Sequence, residues 1–271
     1  MSPGEDPVDR AHLRDPTDRS HTIARYPVST DLDALARRFW IPTWSVPPGQ
    51  EAPQHVLQYP VCLIVIADDY ARFYGVTSGL SETILRGDGW AVGLMLQPAA
   101  GRLVTGRSVA ELRDTYVGLT TIPGFTPTVV EDVRAAMAPD PTAAEAHKSA
   151  RERIEAQVRA YGPVDDEGRL VNDIVDRVEI DQHVLRVNDL CERFEITERS
   201  LQRLTRRRLG LSPKWLIRRR RLHDAVSRLQ RSETDLAGLA ADLGYTDQAH
   251  LTRDFRSATG LTPGRFAARF G

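Results

Sequence analysis

The chain has 271 residues, 41% apolar and 27% charged, which is long enough for two domains and apolar enough to build real cores. No apolar run approaches the ~20 residues that span a bilayer, and the first 21 residues hold no apolar segment of the secretory type, so a cytoplasmic protein is expected. The net charge of −1 hides an asymmetry: residues 171–271 carry 19 Lys/Arg against 14 Asp/Glu (+5), the remainder 17 against 23 (−6).

In chain order, residues 1–22 are rich in Asp, Arg, Pro and Ser and read as a flexible arm. Residues 23–125 are strand-rich. Leu32, Leu35 and Phe39, with Trp40 beside them, have the spacing of a short amphipathic helix over residues 31–40. The stretches 55–67, 70–76 and 90–96 are β-branched and aromatic, punctuated by Asp68, Asp69, Gly79, Gly87 and Gly89, and predict strands. Val61 to Ala67 is the longest apolar run and reads as a buried strand. Cys62 lies in it and Cys191 lies far away, so both are expected reduced and buried rather than bridged. Ser108, with Glu111 three residues on, marks a helix start. From Thr128 the period turns helical, with helices over 128–137 and 142–161, the second capped by Thr142; residues 126–170 form a helical connector.

The last hundred residues contain a repeat. Val187, Leu190 and Phe194 give the buried face of a short helix, Ile196 fills a turn, and Thr197 caps a second helix with Leu201 and Leu204 inward. About fifty residues later Leu236, Leu239, Ala240 and Leu243 repeat the first helix. Gly244 and Tyr245 repeat the turn, and Asp247 caps a helix with Leu251 and Phe255 inward. Residues 214–231 form a long helix between the units, with Leu216, Leu222, Val226 and Leu229 on its buried stripe. Arg199 to Arg221 holds ten Lys/Arg and no acid, which fits a polyanion-binding face.

Gly210-Leu-Ser-Pro-Lys-Trp-Leu, then Leu243-Gly-Tyr-Thr-Asp-Gln-Ala-His-Leu-Thr-Arg-Asp-Phe-Arg and Gly260-Leu-Thr-Pro-Gly-Arg-Phe, resemble the AraC/XylS transcription regulators over residues 171–271. The resemblance implies an α+β protein: a strand-rich, barrel-like front domain, the connector, and an all-α DNA-binding domain. It implies base-edge contacts from Arg199, Gln202 and Arg203 in the first unit and from Gln248, His250 and Arg253 in the second. Arginine can pair bidentately with guanine, and glutamine with adenine. Phosphate contacts are implied for Arg206, Lys214, Arg218, Arg219 and Arg256. Thr205 and Leu251 stand where this family often has Phe, which implies a slightly smaller core. Double-stranded DNA is the implied partner, with a small-molecule effector, a homodimer and, for an activator, RNA polymerase. Taken singly, Arg208 and Arg221 read as solvent-facing charges, Trp215 as core, and His250 equally as a capping or core residue.

The front half offers little chemistry for an enzyme. Its strand region has one histidine, His55, and no phosphate loop or nucleophile elbow, so no catalysis, cofactor or metal is expected. Trp40, Trp44, Tyr59, Phe73 and Trp90 are candidates to line an apolar effector pocket, with plain core packing as the alternative for each. Two other functions stay open from sequence: a nonspecific DNA binder, and a small-molecule-binding protein whose DNA-binding half is vestigial.

Overall fold

The computed structural model describes residues 11–13, 17–231 and 235–270. Strands β1 (His21–Pro27), β2 (Ala36–Val46), β4 (Leu63–Ala67), β5 (Ala71–Tyr74), β7 (Gly87–Leu96) and β8 (Tyr116–Gly118) form a six-stranded sheet. Its order is β1-β2-β7-β4-β5-β8 and every pairing is antiparallel. A separate ribbon pairs β3 (Ala52–Val56) with β6 (Ser81–Leu85). All five residues of β4 are buried because both faces of the sheet are covered. Ile64 and Ile66 face one core with Phe39, Ile41, Phe73 and Leu94; Leu63 and Val65 face another with Tyr59, Ala91 and Met95.

Several local expectations change. The helix expected at residues 31–40 is a single 3-10 turn, Thr30–Leu32, followed by β2. Leu32 and Leu35 are buried by the turn, and Phe39 and Ile41 by strand alternation, so a spacing that fits a helix is met by two shorter elements. The aromatic and β-branched residues after position 38, and Pro42 among them, favour the strand. The 55–67 run is likewise not one strand: residues 57–62 leave the ribbon and turn into β4, with the Val61 N–H donating to Tyr59 O at 2.8 Å. Most of the expected arm lies outside the described residues, but residues 11–13 pair with β3, Leu13 N donating to His55 O at 2.9 Å.

Helices follow: α1 (Ala100–Thr105), α2 (Pro127–Met137), α3 (Ala144–Arg159), α4 (Asp166–Ile180), α5 (Val187–Arg193), α6 (Glu198–Leu209), α7 (Pro213–Gln230), α8 (Leu236–Asp242), α9 (Gln248–Thr259) and α10 (Pro263–Phe270). Thr142 does not cap α3, since its hydroxyl donates to Asp140 at 2.6 Å and Ala143 takes the cap position. Ser108 opens only a 3-10 turn, Val109–Leu112, and makes no side-chain cap. None of the described helices is long and apolar enough to cross a membrane.

One apolar core runs without a break from the sheet through α2, α3 and α4 into α5, α6 and the start of α7. A second joins the rest of α7 to α8, α9 and α10, and takes in Leu13 and Leu57 from the front of the chain. Polar ties reinforce the first junction. The Arg37 guanidinium donates to Asp176 at 2.7 Å and Glu179 at 2.8 Å on α4, while Asn172 accepts from Ala99 N at 2.9 Å. Gly210 ends α6 in the left-handed region, and a Cβ there would lie 2.8 Å from Ala110 Cα of the front domain. Gly260 ends α9 in the same conformation with nothing within 4 Å. Both substitutions to alanine should cost ~1–2 kcal/mol for the left-handed conformation, and Gly210→Ala a further ~1–3 kcal/mol from overpacking. Urea unfolding checks this; equal losses would mean that α6 does not press on the front domain.

Candidate nucleic-acid interface

The two helix-turn-helix units are built alike. In the first, Ile196 N donates to Cys191 O at 3.1 Å; in the second, Tyr245 N donates to Ala240 O at 2.9 Å. The residue before each donor has positive φ, Glu195 at 52° and Gly244 at 72°. All three positions are offset by 49 residues (191 to 240, 195 to 244, 196 to 245), so the turns are structural equivalents. The expected caps form: Ser200 N donates to Thr197 Oγ1 at 3.2 Å and His250 N to Asp247 Oδ1 at 2.6 Å.

On α6, Leu201, Leu204, Thr205 and Leu209 are buried, while Arg199, Arg203 and Arg206 are exposed and Gln202 is half-exposed. Gln202 Nε2 donates to Glu198 Oε1 at 2.8 Å, which holds the amide beside the arginines. On α9, Leu251 and Phe255 are buried, and Gln248, His250, Arg253 and Arg256 are exposed. His250 therefore belongs to the surface rather than the core, its ring edge-on to Tyr245 at 5.2 Å. Thr205 and Leu251 are fully buried, so both smaller side chains are accommodated.

The run of ten cations divides. Arg199, Arg203, Arg206, Arg207 and Lys214 are exposed. Arg208 is buried and pairs with Asp165 and Glu167 at the start of α4, and Arg207 also reaches Glu167. The hydrogen bonds from Arg208 hold the Asp165 and Glu167 carboxyls below their ordinary range. Arg220 is buried and donates to Val184 O at 2.7 Å and Asp224 at 2.8 Å; Arg221 is half-buried and donates to Leu185 O. Arg208 and Arg221 are thus interior fasteners, not solvent-facing charges. Arg219 leaves the phosphate set for the same reason: it is 3% exposed and donates to the carbonyls of Ser78 and Gly79. Arg218 keeps part of its surface and pairs with Asp254 of α9.

Sequence reasoning missed Asp254. It accepts from Tyr245 OH at 2.7 Å and from Arg218 Nε, joining the second turn, α9 and α7. The available signal was its position as the one acid in residues 248–259.

The five front-domain pocket candidates divide between the two faces of the sheet. Phe73 and Trp90 lie in the core shared with the helices, and Tyr59, Trp40 and Trp44 in the core on the other face of the sheet. Trp40 and Trp44 are opposite Gly93 and Gly89 across β2 and β7, and a Cβ at either glycine would lie under 2.5 Å from an indole ring. Two tryptophans laid over two glycines is cross-strand packing. The Tyr59 ring packs tilted against His223 of α7, with centroids 4.5 Å apart, beside a gap with room for about one water. Cys62 is buried, with its thiol pushed up to about 12 by desolvation, which makes it inert; Cys191 is only half-buried.

Residues 190–269 match the family described as a helix-turn-helix domain, and residues 24–118 match a family described as a domain of unknown function (DUF6597). The HTH-type transcriptional activator RhaR of Yersinia pseudotuberculosis serotype O:1b (strain IP 31758) is 33% identical over 82 residues, 30% of this chain and 28% of its own. RhaS of Pectobacterium carotovorum subsp. carotovorum (strain PC1) is 32% identical over 74 residues, 27% of this chain and 26% of its own. The match therefore spans little more than a quarter of these relatives. The crystal structure of ToxT from Vibrio cholerae O395 aligns over 93% of this chain and 99% of its own, at 11% identity and a TM-score of 0.43.

Glu195 supplies a direct test of the paired turns. A non-glycine residue in the left-handed region costs ~1–2 kcal/mol, and the equivalent position in the second unit is already glycine. Glu195→Gly should raise stability, by up to about 1 kcal/mol after the added unfolded-chain entropy is offset. A lower urea midpoint would show that Glu195 makes a compensating interaction.

Proposed function

We propose that this chain, whose C-terminal part is a helix-turn-helix domain of the AraC/XylS type, is a sequence-specific DNA-binding transcription regulator controlled by a small molecule. The observation that carries the reading is the stripe on α6. Arg199, Gln202, Arg203 and Arg206 face outward from a helix whose other side is locked into the shared core. Such a helix can enter a major groove, its arginines and glutamine reading base edges while Arg206 engages a phosphate. In the second unit Gln248, His250 and Arg253 take the base-reading role, and Arg256, with Lys214 and Arg218 of α7, the phosphate role.

In this reading residues 23–125 are the effector-binding or dimerisation domain, 126–170 the connector and 171–271 the DNA-binding domain. Front-domain residues pack against both helix-turn-helix units, which supports control of DNA binding from the front domain. RNA polymerase contact and a homodimer belong to the same proposal. Enzyme activity forms no part of the proposal, since the relatives that match the helix-turn-helix part are transcriptional activators.

Anisotropy titration at ~150 mM salt of the chain against its own upstream region and a scrambled duplex tests this. A preference of ~10³-fold or more is expected; equal, salt-sensitive binding would indicate a nonspecific binder. Arg203→Ala should cost ~1–3 kcal/mol and relax preference at one base pair. Arg206→Ala should weaken all duplexes alike and reduce the salt slope by about one contact's worth, ~0.9. For six to eight neutralised phosphates the wild-type slope of log affinity on log salt should be roughly −5 to −7.

A further inference from the structure

Glu198 is the only acid of α6, and it stands on the exposed side of the helix. Gln202 and Arg206 follow it at four-residue steps, so the three share one row, with Arg199 and Arg203 in the row beside it. Arg199, Arg203 and Arg206 are exposed as well, and Gln202 is half-exposed. Despite these cations, Glu198 makes no ion pair among the described residues. Its carboxylate Oε1 instead accepts from Gln202 Nε2 at 2.8 Å.

An acid in this row weakens the approach of α6 to DNA, because phosphates repel it. At the first turn it also interacts favourably with the helix dipole, but Thr197 already caps the helix. What the carboxylate adds is direction. An ionised carboxylate accepts hydrogen bonds and donates none, so it holds the Gln202 amide with its nitrogen toward Glu198; the reversed amide would set oxygen against oxygen. One Nε2 proton is taken up by Glu198. The other lies beside Oε1, and together they present a donor and an acceptor, the pattern that pairs with N7 and N6 of adenine in the major groove. Guanine offers two acceptors there and thymine its O4, and the held Oε1 is repelled by either. Counted from the caps Thr197 and Asp247, the second unit has Gln248 and Thr252 at the corresponding positions, so the acid–amide pair belongs to the first unit alone.

We propose that Glu198 is a specificity-determining residue of the first unit: by holding the Gln202 amide it makes that side chain a reader of adenine, beside the guanine readers Arg199 and Arg203. Glu198 is a positioning residue, acting through Gln202 without touching a base. The proposal rests on the regulator reading above, since it needs α6 in a major groove.

Selection of tight duplexes from a randomised pool, followed by anisotropy titration of the full chain with each of the four base pairs at every selected position, tests it. Gln202→Ala marks the base pair that Gln202 reads. At that pair the wild type should prefer adenine to guanine or thymine by roughly tenfold or more. Glu198→Ala, and the isosteric Glu198→Gln whose own amide lets Gln202 turn over, should each cut this preference to about threefold or less and leave the other positions unchanged. Both variants should bind a scrambled duplex at least as tightly as the wild type, because each removes a charge that phosphates repel. Equal weakening on every duplex with the base preference intact would assign Glu198 to helix stability alone and overturn the proposal. A Gln202→Ala chain that marks no base pair, or a wild type that prefers another base at the marked pair, overturns the adenine assignment. A selective wild type whose preference survives in both Glu198 variants overturns this proposal and keeps the regulator reading; a wild type that binds every duplex alike overturns both.

Discussion

The apolar core that passes from the sheet into the first helix-turn-helix unit governs the rest of the structure. Phe39, Ile64 and Leu94 of the sheet, Val171 and Val175 of α4, and Leu201 and Leu204 of α6 belong to one buried cluster. A helix such as α6 that shares its interior with a sheet cannot turn independently of it. Protein interiors pack like organic crystals, so a displaced sheet would have to displace α6 or open a void. The second unit is bound less fully to the front domain, through Leu13 and Leu57 and through the His223 Nε2–H bond to Leu57 O at 2.6 Å. A chain built this way has a firm joint and a lighter one, and at the lighter one Arg219 of α7 donates to the Ser78 and Gly79 carbonyls of the front domain.

The same constraint explains how the arginines are used. A helix that must both face a polyanion and pack on a protein has two rows of cations with opposite needs. Arg203 and Arg206 can stay hydrated. Arg208 and Arg220 cannot, and each is buried with its terminal nitrogens donating to carboxylates or carbonyls. Removing such a partner would leave an uncompensated interior charge, which is more costly than losing a surface ion pair. Charge count alone therefore overstates the exposed positive surface of these helices.

Much of the C-terminal architecture was legible in the residues. The repeated spacing of Leu190 and Leu239, the caps Thr197 and Asp247, and the glycine at 244 each answer to a local rule, and each is obeyed. What local rules could not supply was direction. Arg219 and Arg218 are adjacent in sequence, yet one reaches the front domain and the other α9, a difference decided by which neighbour each helix face meets. In the front half the aromatics were ambiguous for a related reason. Trp40 and Trp44 look like pocket walls until Gly93 and Gly89 are seen opposite them, and strand register is a long-range property that composition does not carry. The helix expected over residues 31–40 failed because Leu32, Leu35 and Phe39 satisfy a helical spacing and a turn-plus-strand equally well.

The most direct test of the account is a hydroxyl-radical footprint of the full chain on a duplex selected for tight binding. Two recognition helices held on the rigid α7 should protect two patches on one face of the DNA, about 10 base pairs apart centre to centre. Protection of a single patch would mean that only one unit reads DNA. Uniform protection irrespective of sequence would contradict specific recognition altogether.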